Sequence, residues 1–168
     1  QLRTFYSCLY RTLLFPREFY EFDAQGKPVY YSPYNGKIQD GYMYTDNGFW
    51  DTFRAVHPLF TLLYPEVSER VTQSILNAYD ESGFMSEWAS PGHRECMIGN
   101  NSISLLTDAW MKGIRTICPE KALEAMIHQT GARHPGISSV GRDGFGYYDR
   151  LGYVPYPEVH EATAKTLE

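Results

Sequence analysis

Apolar residues in the opening stretch LRTFYSCLYRTLLF recur at helical spacing, with Leu2, Phe5, Leu9 and Leu13 on one face, and Pro16 stops the run. An amphipathic helix is expected there. From Pro16 to Asp46 the pattern changes to aromatic residues interrupted by turn formers. The extended pieces PVYY and GYMY flank Ser32-Pro33-Tyr34-Asn35-Gly36, which predicts an ordered loop with a small hairpin. Helical spacing returns with Phe49, Trp50, Phe53, Val56, Leu59, Phe60 and Leu63, in a segment that Asp46 or Asn47 would cap and Tyr64-Pro65 would end. Pro65 opens the next helix, which carries Val67, Val71, Ile75, Leu76 and Tyr79 on one face and meets a C-terminal glycine signal at Ser82-Gly83.

The same plan repeats after residue 100. Ile103, Leu106, Ala109 and Trp110 predict a helix from about Asn101 to Gly113, and Ala122, Leu123, Met126 and Ile127 mark its partner between Pro119 and Gly131. Residues 132 to 157 are rich in glycine, tyrosine and proline, and a helical pattern resumes at Pro157 through Glu168. With no terminator at Glu168, the expectation is a chain cut inside an element. Helix, long loop, helix and tight turn together predict an all-α fold of helical hairpins stacked around a toroid, joined by long aromatic-rich loops. A length of 168 residues suits one domain or part of one.

Composition narrows the partners. The net charge is −5 and the basic residues are dispersed, so the chain lacks the cationic stripe that neutralises nucleic-acid phosphates. No membrane span and no signal peptide are read from its short apolar windows, and the chain begins at Gln1 rather than methionine. Cys8, Cys96 and Cys118 form no close pair, so neither a disulfide framework nor a metal knuckle is expected. Aromatic residues make up 15% of the chain, many of them tyrosines beside turn residues, where a ring can stack on a sugar or simply pack a polar turn.

Two stretches concentrate chemistry. Asp51 follows Trp50 and precedes Arg54, near the start of a predicted helix; it serves either as a dipole-favoured structural carboxylate or as an acceptor for two adjacent sugar hydroxyls. The loop FMSEWASPGHR, residues 84 to 94, holds Glu87, Trp88 and His93. Glu87 reads as an acid, a binder or a capping group. Converging on Asp51, it would form the carboxylate pair of glycoside hydrolysis, roughly 6.5 to 9.5 Å apart for inversion or about 5 Å for retention. His93 and Cys96 have a metal-like spacing without further ligands nearby. Ser90-Pro91-Gly92 lacks the context of a nucleophilic serine, and Gly99-Asn100-Asn101-Ser102 reads as a turn and helix cap.

These residues closely resemble motifs of glycoside hydrolase family 92. The matching stretches are Gly48-Phe49-Trp50-Asp51-Thr52-Phe53-Arg54 and Glu87-Trp88-Ala89-Ser90-Pro91-Gly92-His93-Arg94, with Met97 and Gly99-Asn100-Asn101-Ser102. Support comes from Leu13-Leu14-Phe15-Pro16-Arg17, Tyr31-Ser32-Pro33-Tyr34, Asn77-Ala78-Tyr79, Glu81-Ser82-Gly83-Phe84, Gly152-Tyr153-Val154-Pro155 and Lys165-Thr166-Leu167-Glu168, so nearly the whole chain is covered. The resemblance implies an exo-acting, inverting, calcium-dependent α-mannosidase acting on terminal α-mannosides, α-1,2-linked ones first, in mannose-rich glycans. It also implies an N-terminal β-sandwich followed by an (α/α)6 catalytic toroid, of which residues 1–168 would be the N-terminal portion. By the same resemblance Asp51 and Trp88 line the terminal mannose pocket, while Trp50, Arg54, Glu87 and His93 are pocket or supporting residues.

The family's general acid, its general base and most of its calcium ligands are expected beyond Glu168, so no catalytic residue and no metal ligand is assigned here, and Asp51 and Glu87 are read as binders. A secreted, periplasmic or cell-surface location follows from the resemblance alone. The alternatives are a non-catalytic carbohydrate-binding or structural fragment, and another helical-toroid glycosidase or polysaccharide lyase. The negative charge weighs against a polyanionic substrate, and the motif match favours mannose.

Overall fold

The computed structural model describes residues 1–167. It opens with α1 (Leu2–Thr12) and continues through short strands β1 (Arg17–Glu18), β2 (Glu21–Phe22), β3 (Pro28–Tyr31), β4 (Ile38–Asp40), β5 (Tyr44–Thr45) and β6 (Asn47–Gly48). Then come α2 (Phe49–Thr52), α3 (Val56–Leu63), α4 (Pro65–Ser82), β7 (Trp88–Ala89), α5 (Asn101–Met111), α6 (Pro119–Gly131), α7 (Phe145–Leu151) and α8 (Ala162–Leu167). Helices dominate, but the all-α expectation needs correction. Strands β2, β3 and β4 form an antiparallel sheet, and β1 with β5 and β6 with β7 form two further antiparallel pairs. The reason lies in the aromatic and β-branched residues of PVYY, which favour a pleated surface, and in the turn that follows them. Gly36 takes φ +70 there and donates its N–H to the Ser32 carbonyl at 3.0 Å, a conformation glycine adopts without a Cβ penalty.

The single helix expected from Asp46 or Asn47 to Leu63 is broken into α2 and α3. Pro58 explains the break, since it has no N–H to give the Arg54 carbonyl and its ring would crowd that oxygen in a continuous helix. In α3 the same proline sits in the first turn, where no such bond is required. Gly48, rather than Asp46 or Asn47, stands at the head of α2. α4 runs as expected from Pro65 and stops where Gly83 turns left-handed at φ +82 and returns its N–H to the Tyr79 carbonyl at 2.7 Å. Within the stretch rich in glycine, tyrosine and proline, α7 forms between left-handed Gly144 and Gly152. The last helix begins at Ala162 rather than Pro157, and Glu168 lies outside the described residues.

The core lies where α4, α5 and α6 meet beneath α2. Val71, Ile75 and Leu76 of α4 pack with Leu105 and Leu106 of α5 and Ala122 and Ala125 of α6, and Phe49 and Met85 close the cluster from the loop side. Burying each of the larger side chains is worth about 1.5 to 3 kcal/mol, which fixes the helices as one body. By contrast α1 buries none of its residues, and Leu2 and Phe5 on its apolar face are exposed. Among the described residues no helix is long and apolar enough to cross a membrane.

Candidate functional site

The two motif stretches meet through a backbone pairing. In the β6–β7 ribbon Asn47 lies opposite Ala89 and Gly48 opposite Trp88. Phe49 N–H also donates to the Glu87 carbonyl at 3.1 Å, so the start of α2 is tied to the residues around Trp88 on both sides of the glycine. Gly48 is required by space rather than by backbone conformation, because its φ is −99. A Cβ at this position would lie 1.9 Å from Trp88 Cε3, 2.0 Å from Cζ3 and 3.2 Å from Asp51 Oδ2. The missing side chain lets the indole and the carboxylate approach one another across the ribbon.

These groups open onto a cavity of about 430 Å3, lined by Phe15, Arg17, Asp46, Asn47, Gly48, Asp51, Thr52, Trp88 and Ser90. Asp51 is exposed within it. Asp46, held at φ +57, accepts from Ser90 Oγ at 3.0 Å and pairs with Arg17 Nε at 3.3 Å. Below, Thr52 Oγ1 donates to Asn47 Oδ1 at 2.9 Å, and Asn47 Nδ2 donates to His57 Nε2 at 3.1 Å. Burial pushes the His57 imidazole down to about 4, which keeps Nε2 free to accept. An aromatic wall facing an open carboxylate is the combination a pyranose needs, with its apolar face and its rim of hydroxyls.

The other residues singled out from sequence go elsewhere. Trp50 precedes Asp51 on α2, and neighbouring helical positions do not share a face. Its ring lines a separate cleft of about 660 Å3 with Cys96, Met97, Asn100, Arg142 and Lys165. Arg54 stacks its guanidinium 4.4 Å from the Phe53 ring and 4.9 Å from the Trp50 ring, and donates to the Trp50 carbonyl at 2.6 Å, so it braces Trp50 and does not line the Asp51 cavity. His93 is bound through Nε2 to Ser82 Oγ at 2.8 Å and packs against Tyr34 and His134. Burial, with His134 beside it, lowers its basicity to about 4; it is a neutral packing group away from the cavity.

Glu87 is the clearest correction. Its carboxylate is 1% exposed and turns into the core, accepting from Ser102 N at 3.1 Å, from Ser102 Oγ, and from Gln129 Nε2 at 3.2 Å. Glu87 lies in the bend just before β7, which begins at Trp88 and carries that residue on the cavity side. With Glu87 pointing in, Trp88 points out. Asp51 and Glu87 therefore do not converge as a carboxylate pair. Ser102 and Asn47 were read from sequence only as helix-cap residues, and Gln129 and His57 were not singled out, because their partners Glu87 and Asn47 lie 42 and 10 positions away.

Calcium requires roughly six to eight oxygen ligands. Among the described residues no group of three or more His, Cys, Asp or Glu side chains could hold a metal ion, and the Asp46 carboxylate is already engaged by Arg17 and Ser90. The residues present do not by themselves fit a calcium site.

The family model described as the glycosyl hydrolase family 92 catalytic domain matches residues 1–168. A family GH92 inverting mannosidase from Bacteroides thetaiotaomicron matches with a TM-score of 0.98 and 86% identity, covering 100% of this chain and 23% of that one. A GH92 α-mannosidase from the same organism, solved in complex with mannoimidazole, matches with a TM-score of 0.82 and 32% identity over 98% of this chain and 21% of its own. No curated protein matches the chain. The chain spans less than a quarter of the length of these solved relatives. A match along its entire length, joined to near-identical backbone geometry and to the ribbon that unites its two motifs, establishes that the chain belongs to glycosyl hydrolase family 92.

Proposed function

We propose that the whole protein is an exo-acting, inverting α-mannosidase and that this chain supplies one wall of its pocket for terminal mannose. The observation that carries the reading is the meeting of Asp51 and Trp88 across Gly48 in one cavity. Trp88 covers the apolar face of the sugar, and the Asp51 carboxylate accepts from two adjacent hydroxyls. Charge-assisted bonds of this kind are worth about 1.5 to 3 kcal/mol each. Arg17, Asp46 and Ser90 frame the rim. Trp50, with Arg54 stacked on it, borders the neighbouring cleft, and Glu87 and His93 support the loop from behind.

In this reading residues 1–168 are the N-terminal portion of an (α/α)6 catalytic toroid. The remaining helices and an N-terminal β-sandwich belong to the rest of the protein, as do the general acid and general base, which inversion sets roughly 6.5 to 9.5 Å apart around a water. Calcium, bound mainly by residues outside this chain, would supply a hard cation for the sugar hydroxyls. The names of the two relatives support mannose as the substrate, with α-1,2-linked mannosides of mannose-rich glycans proposed first. Such a substrate suits a secreted, periplasmic or cell-surface enzyme.

The test uses the complete enzyme on α-1,2-, α-1,3- and α-1,6-mannobiose, with and without a calcium chelator. Asp51→Ala and Trp88→Ala are each expected to lower kcat/KM by about 100-fold, the equivalent of one or two lost polar contacts or of a misplaced ring. Wild-type kcat/KM in either variant would sink the role of that residue, and chelator-insensitive turnover would remove calcium.

A further inference from the structure

The strongest unassigned feature is the buried polar cluster behind the cavity wall. Glu87, Ser102 and Gln129 come from the motif loop, the first turn of α5 and the last turn of α6, and at most 1% of each is exposed. Gln129 is fully used, since its Oε1 accepts from Met85 N at 3.1 Å and its Nε2 donates to the Met85 carbonyl and to Glu87 Oε1, both at 3.2 Å. It reads the backbone of the loop as a strand partner would. On the other side the Glu87 carbonyl takes the Phe49 N–H at 3.1 Å and the Trp88 carbonyl takes the Arg94 N–H at 3.2 Å.

We propose that Glu87, clasped by Ser102 and Gln129, is a positioning residue for the mannose pocket: it acts on the sugar through Trp88, holding the indole over Gly48 and beside Asp51. The inference rests on the reading of that cavity as the terminal mannose site. Its physical basis is adjacency: Glu87 occupies the bend that leads directly into β7, whose first residue is Trp88. With both Glu87 side-chain oxygens anchored, the bend into β7 is held and the Trp88 backbone, paired with Gly48, keeps the ring at the cavity wall. Burying a carboxylate is a costly way to fill a core, and burial pushes this one up to about 8 despite its three bonds. An apolar side chain would pack the same space without that penalty, but it would hold no orientation.

Glutamine cannot replace the carboxylate. An amide NH2 nitrogen cannot accept, so it would oppose the Ser102 N–H in one orientation and the Gln129 Nε2–H in the other, whereas a carboxyl oxygen still accepts when it is protonated. In the complete enzyme Glu87→Gln is expected to lower kcat/KM for an α-mannobioside by about 10- to 100-fold, mainly through KM, as a displaced binding ring would. Combined with Trp88→Ala, the same change is expected to alter kcat/KM by no more than about 2-fold, because a residue that acts through Trp88 is non-additive with it. Gln129→Met, which removes only the α6 half of the clasp, decides the matter if Glu87→Gln does not fold. Its loss is expected to be smaller and again absent in the Trp88→Ala background. Wild-type kcat/KM in the folded variant would overturn the proposal, as would equal losses in both backgrounds, the result of a purely structural role. An inactive wild-type enzyme, or full activity in Trp88→Ala, is visible before any clasp variant is made; it would overturn the pocket reading and this inference with it.

Discussion

At the residue scale the site depends on an absent side chain. Gly48 holds an ordinary extended φ of −99, so alanine could adopt its backbone, yet a Cβ would overlap the Trp88 ring at 1.9 Å. Gly48→Ala in the complete enzyme is expected to push the indole out of the cavity wall, with an overpacking cost of about 1 to 3 kcal/mol and a fall in kcat/KM of about 100-fold. Thermal melting and kinetics on an α-mannoside check it together, and an alanine variant equal to wild type in both would show that the ring is not held there. The sequence marks Gly48 only as a member of a motif. Its need for space appears once Trp88, 40 positions away in the chain, is paired opposite it.

At the scale of elements, glycine acts in the other way. Gly83 closes α4 at φ +82 with nothing within 4 Å of its would-be Cβ, so Gly83→Ala meets only backbone strain, about 1 to 2 kcal/mol for an L residue in the left-handed region. A modest drop in melting temperature without a change in kcat/KM is expected, and an unchanged melting temperature would contradict this cap. The Ser82-Gly83 signal and the apolar stripe of α4 were legible because they are local. The break between α2 and α3 was not read, although Pro58 marks it, because apolar residues at helical spacing run on either side of it. α7 was not legible, because Phe145-Gly146-Tyr147-Tyr148 carries no polar face to reveal a helical period.

At the scale of the whole molecule, two kinds of buried titratable group act on stability with opposite sign. His57 and His93 are held down to about 4 in the fold, against 6.5 for an ordinary imidazole. The unfolded chain therefore takes up their protons first, and stability is lost as the pH falls from about 6.5 to 4. For His57 the loss has a visible origin, since a proton on Nε2 would displace the bond from Asn47. Glu87, raised to about 8 from 4.5, contributes stability that is complete below about 4.5 and is lost as the pH climbs toward 8. His57→Gln, whose side-chain oxygen can still accept from Asn47, is expected to flatten the acid side of a plot of melting temperature against pH. An unchanged acid side would show that His57 is not a neutral buried group.

By itself the sequence determined the family, most helix boundaries and the pairing of Asp51 with Trp88 as pocket candidates. Periodicity, proline and glycine stops, and motif strings are properties of neighbours along the chain. Only the tertiary structure decided which motif residues face the cavity. Glu87 and Trp88 are adjacent in the chain, and their separation into core and cavity wall depends on which partners each one meets in the fold. Those partners are Gly48, Ser102 and Gln129, contacts made across 15 to 42 positions. A contact between distant residues leaves no periodic trace in a single sequence, and so the inward turn of Glu87 could be read only from the folded chain.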